Sequence, residues 1–115
     1  MQESFWTRLE ALVKASELVI DRPRGSAHPR FPGIIYPLDY WYLKGTSSGD
    51  GHEIDVWRGT LPEKRFDAIV CTVDIMKRDA EIKLLIGCST ADKDTVQAFH
   101  NGEYMSAILM ERGTA

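Results

Sequence analysis

The chain has 115 residues, 43% hydrophobic and 27% charged, a composition typical of a globular domain. We expect one domain over residues 1–115, because two domains of this size would each have a marginal core. The net charge of −3 argues against a nucleic-acid partner, which requires a basic face. The apolar runs are far shorter than the ~20 residues of a membrane span, and the N-terminus does not have a signal-peptide pattern. We therefore expect a cytoplasmic protein with no membrane partner.

The first third of the chain predicts one helix followed by short strands. Ser4 precedes an amphipathic helical pattern that ends near Ser16. Residues 17–21 (ELVID) are typical of a strand, and the Arg-Pro pair at 22–23 ends it. A basic loop covers residues 22–33. The runs GIIYP and YWYLKG then predict two short strands on either side of a bend at residues 37–39.

The rest of the chain predicts more strands and then helices. Residues 46–51 (TSSGDG) form a turn, and residues 53–59 a strand. The runs 66–76 and 81–88 predict a hairpin. Ser89 is expected to cap a helix that ends at the Asn-Gly pair at 101–102, and residues 103–111 are interpreted as a further helical segment. Several short strands with turn signals favour an α+β domain built around a small closed β-barrel, with an N-terminal helix and C-terminal helices.

Two cysteines, Cys71 and Cys88, lie in apolar, strand-like runs without the spacing of metal ligands. We therefore expect buried free thiols.

Acidic residues occur in two turn regions. Asp50 lies in the Gly-rich turn and Asp55 in the strand that follows it, while Asp79 and Glu81 lie at the tip of the predicted hairpin. Mg²⁺ binds oxygen ligands, commonly a few carboxylates together with substrate phosphates. The four carboxylates could therefore converge on one or two cations. The alternative is that they are solvated turn residues, which are common in proteins.

The tyrosines and aspartates of this region form a recognisable motif. Tyr36-Pro37-x-x-Tyr40-x-Tyr42, followed by Asp50-Gly51-x-x-x-Asp55-Val56, resembles the signature of the soluble family I inorganic pyrophosphatases. Upstream, Val19-Ile20-Asp21-x-Pro23 is similar to the family strand that ends in an active-site glutamate. Downstream, Asp79, Glu81 and Lys83 resemble its second acidic pair and a following lysine. The resemblance covers roughly residues 17–88.

The resemblance implies an OB-like five-stranded barrel and Mg²⁺-dependent hydrolysis of inorganic diphosphate, or a related phosphoanhydride, by metal-activated water. It also allows a homo-oligomer. By position, the implied catalytic residues are Asp50, His52, Asp55 and Tyr40. The implied metal ligands are Asp21, Asp50, Asp55, Asp79 and Glu81, and the implied substrate-binding residues are Arg30, Tyr36, Tyr40, Lys83 and Tyr104. Lys44 is a further substrate-binding candidate because it is basic and lies on the same segment.

The chain departs from the family motif at several positions. His52 stands where the family has its middle aspartate. Its imidazole could act as a base and would favour softer cations such as Mn²⁺. The alternative is that His52 is a surface residue without a role. Trp41 replaces a glycine and either packs in the core or lines the pocket. The chain is shorter than family members, and Tyr104-Met105 stands in place of a Tyr-Lys pair.

These departures leave two functions open. The first is hydrolysis of diphosphate or of an organic phosphoanhydride such as a nucleotide. The second is a catalytically weak or inactive phosphate-ligand binding protein of the same fold. An OB-type nucleic-acid binder is disfavoured by the acidic charge. His28 lies in the basic loop RPRGSAHPR, whose three arginines could form a phosphate-attracting rim or belong to a solvated loop. His100 is given no catalytic role.

Overall fold

Two helices and one six-stranded sheet make up the computed structural model, which describes residues 2–113. In chain order the elements are α1 (Gln2–Lys14), β1 (Leu18–Arg22), β2 (Asp39–Leu43), β3 (Ile54–Arg58), β4 (Phe66–Asp74), β5 (Asp79–Ile86), α2 (Thr90–Phe99) and β6 (Met105–Glu111). The α+β class is confirmed.

The sheet is open, with the strand order β1-β2-β3-β5-β4-β6. Neighbouring strands are antiparallel except β3 and β5, which are parallel. Because β4 and then β6 lie beyond β5, the edge strands β1 and β6 are at opposite sides and do not pair within residues 2–113. The expected closed, five-stranded barrel is therefore wrong in both strand number and closure.

The segment 103–111, expected to be helical, contains strand β6 instead. Exposure alternates along it, since Ala107 is 8% exposed and Ile108 is 60% exposed. β6 pairs with β4 from Ala68↔Glu111 to Asp74↔Met105. A short apolar segment fits either a helix or a strand locally, and the unpaired edge of β4 selects the strand. The GIIYP strand is likewise absent from the described sheet, where this region contributes only the isolated bridge Ala27↔Ile35.

Each helix covers part of one face of the sheet. On the α1 face, Trp6 packs against Phe66 at a ring-centroid distance of 5.6 Å. Arg112 holds α1 in place by donating hydrogen bonds to Glu10 (2.8 Å) and Glu3 (2.9 Å). Trp41 is half-buried in this cluster. This position agrees with the interpretation that Trp41 packs in the core.

On the opposite face, α2 packs over a cluster that contains Trp57, which is 0% exposed. The Trp57 indole N–H donates to Nε2 of His100 at 2.9 Å. Burial, with a smaller effect of the nearby Lys83 charge, lowers the pKa of His100 to about 3, so the ring is neutral. His100 therefore places no positive charge at the C-terminal end of α2.

The N-terminus of α2 is fixed as expected by a capping box between Ser89 and Asp92. Asp92 also accepts hydrogen bonds from the backbone N–H and the hydroxyl of Thr60, both at 2.8 Å. Burial raises the pKa of Asp92, but these hydrogen bonds outweigh it and the net pKa is lowered. Nearby, a Cβ on Gly59 would overlap the backbone of Gly87, so this crossing requires glycine.

Both cysteines are free thiols; Cys88 is buried and Cys71 is half-buried. Neither helix in the described part of the chain is long and apolar enough to cross a membrane.

Candidate functional site

A polar cavity of about 440 Å³ opens on the α2 face of the sheet, beside the aromatic cluster. All twelve of its lining side chains are charged or carry a hydroxyl or imidazole group. They are Asp21, His28, Tyr36, Tyr40, Tyr42, Asp50, His52, Glu53, Asp55, Lys77, Glu81 and Lys83.

Strand alternation brings the central residues of the cavity to one face. Tyr40 and Tyr42 are two apart on β2, and Asp55 on β3 lies directly opposite Tyr42. The parallel pairing of β3 with β5 then sets Lys83 beside Asp55, although 28 residues separate them. Glu81 lies two residues before Lys83 on the same strand face.

Lys83 is the centre of a buried hydrogen-bond network. Its ammonium group donates to the Tyr40 hydroxyl (2.7 Å), Asp55 (2.9 Å) and Glu81 (2.9 Å). The Lys83 side chain is only 7% exposed and that of Glu81 only 8%. Burial alone would lower the pKa of Lys83, but the contacts with Tyr40 and Asp55 raise it well above its usual value. Lys83 is therefore a permanent cation inside the cavity.

Tyr40 is a neutral phenol in this network. Burial is the largest cause that raises the pKa of its hydroxyl well above the ordinary value. Burial also raises the pKa of Tyr36, whose ring lies 5.4 Å from that of Tyr40. Both hydroxyls therefore keep their protons and can donate hydrogen bonds.

Asp50 is positioned by the turn that contains it. Its carboxylate accepts hydrogen bonds from the Ser48 hydroxyl (2.5 Å) and the His52 backbone N–H (3.0 Å). Gly51 supplies the positive φ of 84° that the turn requires. This arrangement holds the Asp50 carboxylate and His52 at the rim of the cavity before any ligand binds.

Asp50, Asp79 and Glu81 form an acidic group whose ligand atoms lie within 4.8 Å of one another. A hydrogen bond from Glu81 is the main cause that lowers the pKa of Asp50, with a further contribution from Ser48. Burial, followed by Asp50, raises the pKa of Glu81 even though Lys83 is its ion-pair partner. The two carboxylates are therefore electrostatically coupled, and Glu81 takes up a proton more readily than Asp50 does. An all-carboxylate set of this size fits a hard divalent cation.

The structure brings together most of the residues that the sequence singled out. Asp21, Tyr36, Tyr40, Asp50, His52, Asp55, Glu81 and Lys83 line the cavity, and Asp79 adjoins it through the acidic group. Three expected substrate-binding residues, Arg30, Lys44 and Tyr104, do not line it. Arg30 and Lys44 are exposed, and Tyr104 precedes β6. Trp41 does not line the cavity either, because its side chain lies on the α1 face.

Four lining residues were not among the expected site residues: His28, Tyr42, Glu53 and Lys77. Tyr42 and Glu53 could have been found from the period-2 alternation with Tyr40 and Asp55. His28 and Lys77 lie in a loop and a hairpin turn, where periodicity gives no signal.

Comparisons of the chain with protein-family models, with curated proteins and with solved structures found no match.

Proposed function

We propose that this protein hydrolyses inorganic diphosphate, or a related phosphoanhydride, in a reaction that depends on a divalent cation. The observation that carries the proposal is the juxtaposition of two kinds of group in one cavity. A carboxylate group suited to hard cations, Asp50, Asp79 and Glu81, lies beside a buried lysine and two protonated tyrosines. The resemblance of residues 36–56 to the family I inorganic pyrophosphatase motif supports the same reaction.

Asp50, Asp79 and Glu81 are the residues that would hold the cation, with Asp55 and Asp21 on the adjoining wall. When bound, a divalent cation neutralises phosphate charge and makes water a better nucleophile. Mg²⁺ is the expected cation for an all-oxygen set, and the imidazole of His52 at the same cavity favours Mn²⁺ or a softer ion as the alternative.

The remaining residues would bind the substrate and move protons. Tyr40 and Tyr36 donate hydrogen bonds from hydroxyls that stay protonated, and Lys83 supplies the buried positive charge. His52 follows Asp50 in the turn, and its imidazole is the side chain that would accept a proton from an attacking water. The two functions that the family assigns to one aspartate, charge and base, would here be divided between Asp50 and His52.

A second function, phosphate-ligand binding without efficient turnover, is favoured by one observation. Among residues 2–113, only two cationic side chains, Lys77 and Lys83, line the cavity, because Arg30 and Lys44 lie elsewhere. All three Lys83 donors already contact protein oxygens. Such a cavity offers few cations to stabilise the charge of a leaving phosphate.

Phosphate release distinguishes the two functions. Purified, folded protein is assayed with inorganic diphosphate and with several nucleotides, each with Mg²⁺ and Mn²⁺ in parallel. Release with at least one pair is expected; no release with any pair rules out hydrolysis. Glu81→Gln should lower cation affinity by about 10- to 100-fold, because losing a direct ligand costs at least as much as losing a residue that orients one. Asp94→Asn, an exposed carboxylate on α2, is the matched control and should behave as wild type.

The role of His52 has a separate test. His52→Asp restores the carboxylate of the family motif, so we expect higher Mg²⁺-dependent turnover and a weaker preference for Mn²⁺. Rates and metal preference that both match the wild type would show that His52 is not part of the reacting site.

A further inference from the structure

The loop that carries His28 is held rigidly against the cavity. The His28 backbone N–H donates to the carbonyl of Ile34 (2.8 Å), and that of Tyr36 donates to Ser26 (2.9 Å). The Gly25 N–H donates a hydrogen bond to the carbonyl of Tyr36 (2.8 Å), and the backbone N–H of residue 24 donates one to the carboxylate of Asp39 (2.7 Å). Residue 28 therefore has a fixed position relative to β2, where the cavity tyrosines lie.

The ring of His28 is fixed as well. Its Nδ1 lies 3.1 Å from the backbone nitrogen of Arg30 and 3.3 Å from that of Phe31, and both N–H groups donate to it. A nitrogen that accepts two hydrogen bonds must present a lone pair, so the proton of the neutral ring is on Nε2. The ring also stacks on Tyr36, with an interplanar angle of 8° and a centroid distance of 6.2 Å. Both the tautomer and the ring plane are set before a ligand binds.

A phosphate group in the cavity can use more donors than the hydroxyls of Tyr36 and Tyr40 supply. Five of its lining residues are carboxylates, and the three protons of the Lys83 ammonium already meet Tyr40, Asp55 and Glu81. A phosphate group has several acceptor oxygens, and each one that loses water must find a donor. The engaged edge of the His28 ring faces its own loop, which leaves Nε2–H as the nitrogen available to a ligand in the cavity.

We propose that His28 binds a phosphate oxygen of the ligand as a neutral donor, through Nε2–H, in a tautomer that its own loop enforces. The proposal rests on the proposed function insofar as it takes the cavity ligand to be a diphosphate or phosphoanhydride. It makes residue 28 a binding residue that places the ligand relative to the acidic group, and not a general acid or base.

Two substitutions separate the two nitrogens of the ring. His28→Asn keeps an acceptor near the position of Nδ1, so the loop is retained, but removes the donor at Nε2. His28→Gln keeps a donor near Nε2 but removes the loop acceptor. The probe is methylenediphosphonate, which cannot be hydrolysed at its bridge, titrated calorimetrically in the presence of Mg²⁺. We expect His28→Asn to weaken binding by about 10- to 100-fold with an unchanged melting temperature, because hydrogen bonds to charged groups are the strong ones. His28→Gln should bind more tightly than His28→Asn but melt earlier.

Nitrogen-15 NMR of the wild-type ring at pH 8 gives an independent readout, and Nε2 is expected to carry the proton. Equal affinity of His28→Asn and wild type, or a proton on Nδ1, would overturn the proposal. If the wild type hydrolyses diphosphate but His28→Asn binds the probe as tightly as the wild type, the role of His28 is refuted and the proposed function stands. Binding without hydrolysis, with weaker His28→Asn binding, would refute the hydrolase and support His28. Wild-type protein that does not bind the probe would refute both.

Discussion

Lys83→Met should lower the free energy of unfolding by about 3 kcal/mol at pH 7. The substitution removes a cation whose nitrogen lies 2.9 Å from each of two carboxylates, in a side chain only 7% exposed. Removing one partner of a buried ion pair costs about 3–5 kcal/mol, since the remaining charge is uncompensated. We take the lower end because the Asp55 side chain is 27% exposed and can be rehydrated. Methionine is close to the lysine stem in shape, so little packing is lost.

Lys77→Met is the matched control for this prediction. Lys77 lines the same cavity, but its side chain is 63% exposed and its ammonium lies 3.6 Å from Asp79. An exposed pair of this kind contributes about 0.2–1 kcal/mol. Urea unfolding, followed by circular dichroism and tryptophan fluorescence, should therefore show a midpoint roughly 2 M lower for Lys83→Met and little change for Lys77→Met.

The pH dependence gives the same prediction a second readout. Because burial raises the pKa of Glu81, this carboxyl takes up its proton early in acid, and the difference between Lys83→Met and wild type should narrow at pH 4. Because the pKa of Lys83 is raised in the folded protein, its contribution to the free energy of unfolding is complete below about pH 10.4, the pKa of lysine in the unfolded chain. This contribution is lost only at higher pH. Equal unfolding free energies for Lys83→Met and Lys77→Met at pH 7 would refute the network as described.

Three further substitutions test other parts of the fold by the same unfolding assay. Because the pKa of His100 is lowered in the folded protein, the unfolded chain binds a proton at this residue at higher pH than the folded protein does. Protonation of His100 should therefore lower the free energy of unfolding of the wild type by about 2 kcal/mol between pH 7 and pH 5. In His100→Gln the free energy of unfolding should fall less between pH 7 and pH 5 than in the wild type. An equal fall in both proteins would contradict a neutral, buried His100 ring. Asp92→Asn should lower the free energy of unfolding by about 1–3 kcal/mol at pH 7. The control Asp94→Asn should lower it by less than about 0.5 kcal/mol. Because the pKa of Asp92 is lowered, its contribution is present above pH ~4 and disappears in acid, where variant and wild type should converge. Gly59→Ala should lower the free energy of unfolding by about 1–3 kcal/mol or more, because the new Cβ would overlap the backbone of Gly87. Gly33→Ala, where a Cβ has open space, should leave it nearly unchanged. Similar losses for the two variants would contradict the close crossing at Gly59.

Local sequence determined those elements whose signals lie within a few residues. The β4–β5 hairpin, the Ser89 cap of α2 and the Gly51 turn were each predicted from turn and capping residues, and all three are present. The placement of Tyr40 and Tyr42 on one face of β2 likewise follows from strand alternation alone. These features depend on backbone preferences that a short segment carries with it.

Tertiary pairing decided the rest. Residues 103–111 became β6 because β4 offered an edge, and the parallel β3–β5 pair set Lys83 beside Asp55 and kept the sheet open. The same folding brought His28 into the cavity wall and left Arg30 outside it. These outcomes depend on which distant segments bury their faces together. Because the free energy of that burial depends on the whole chain and not on any short window of it, the acidic motif alone could not predict all the residues that surround it.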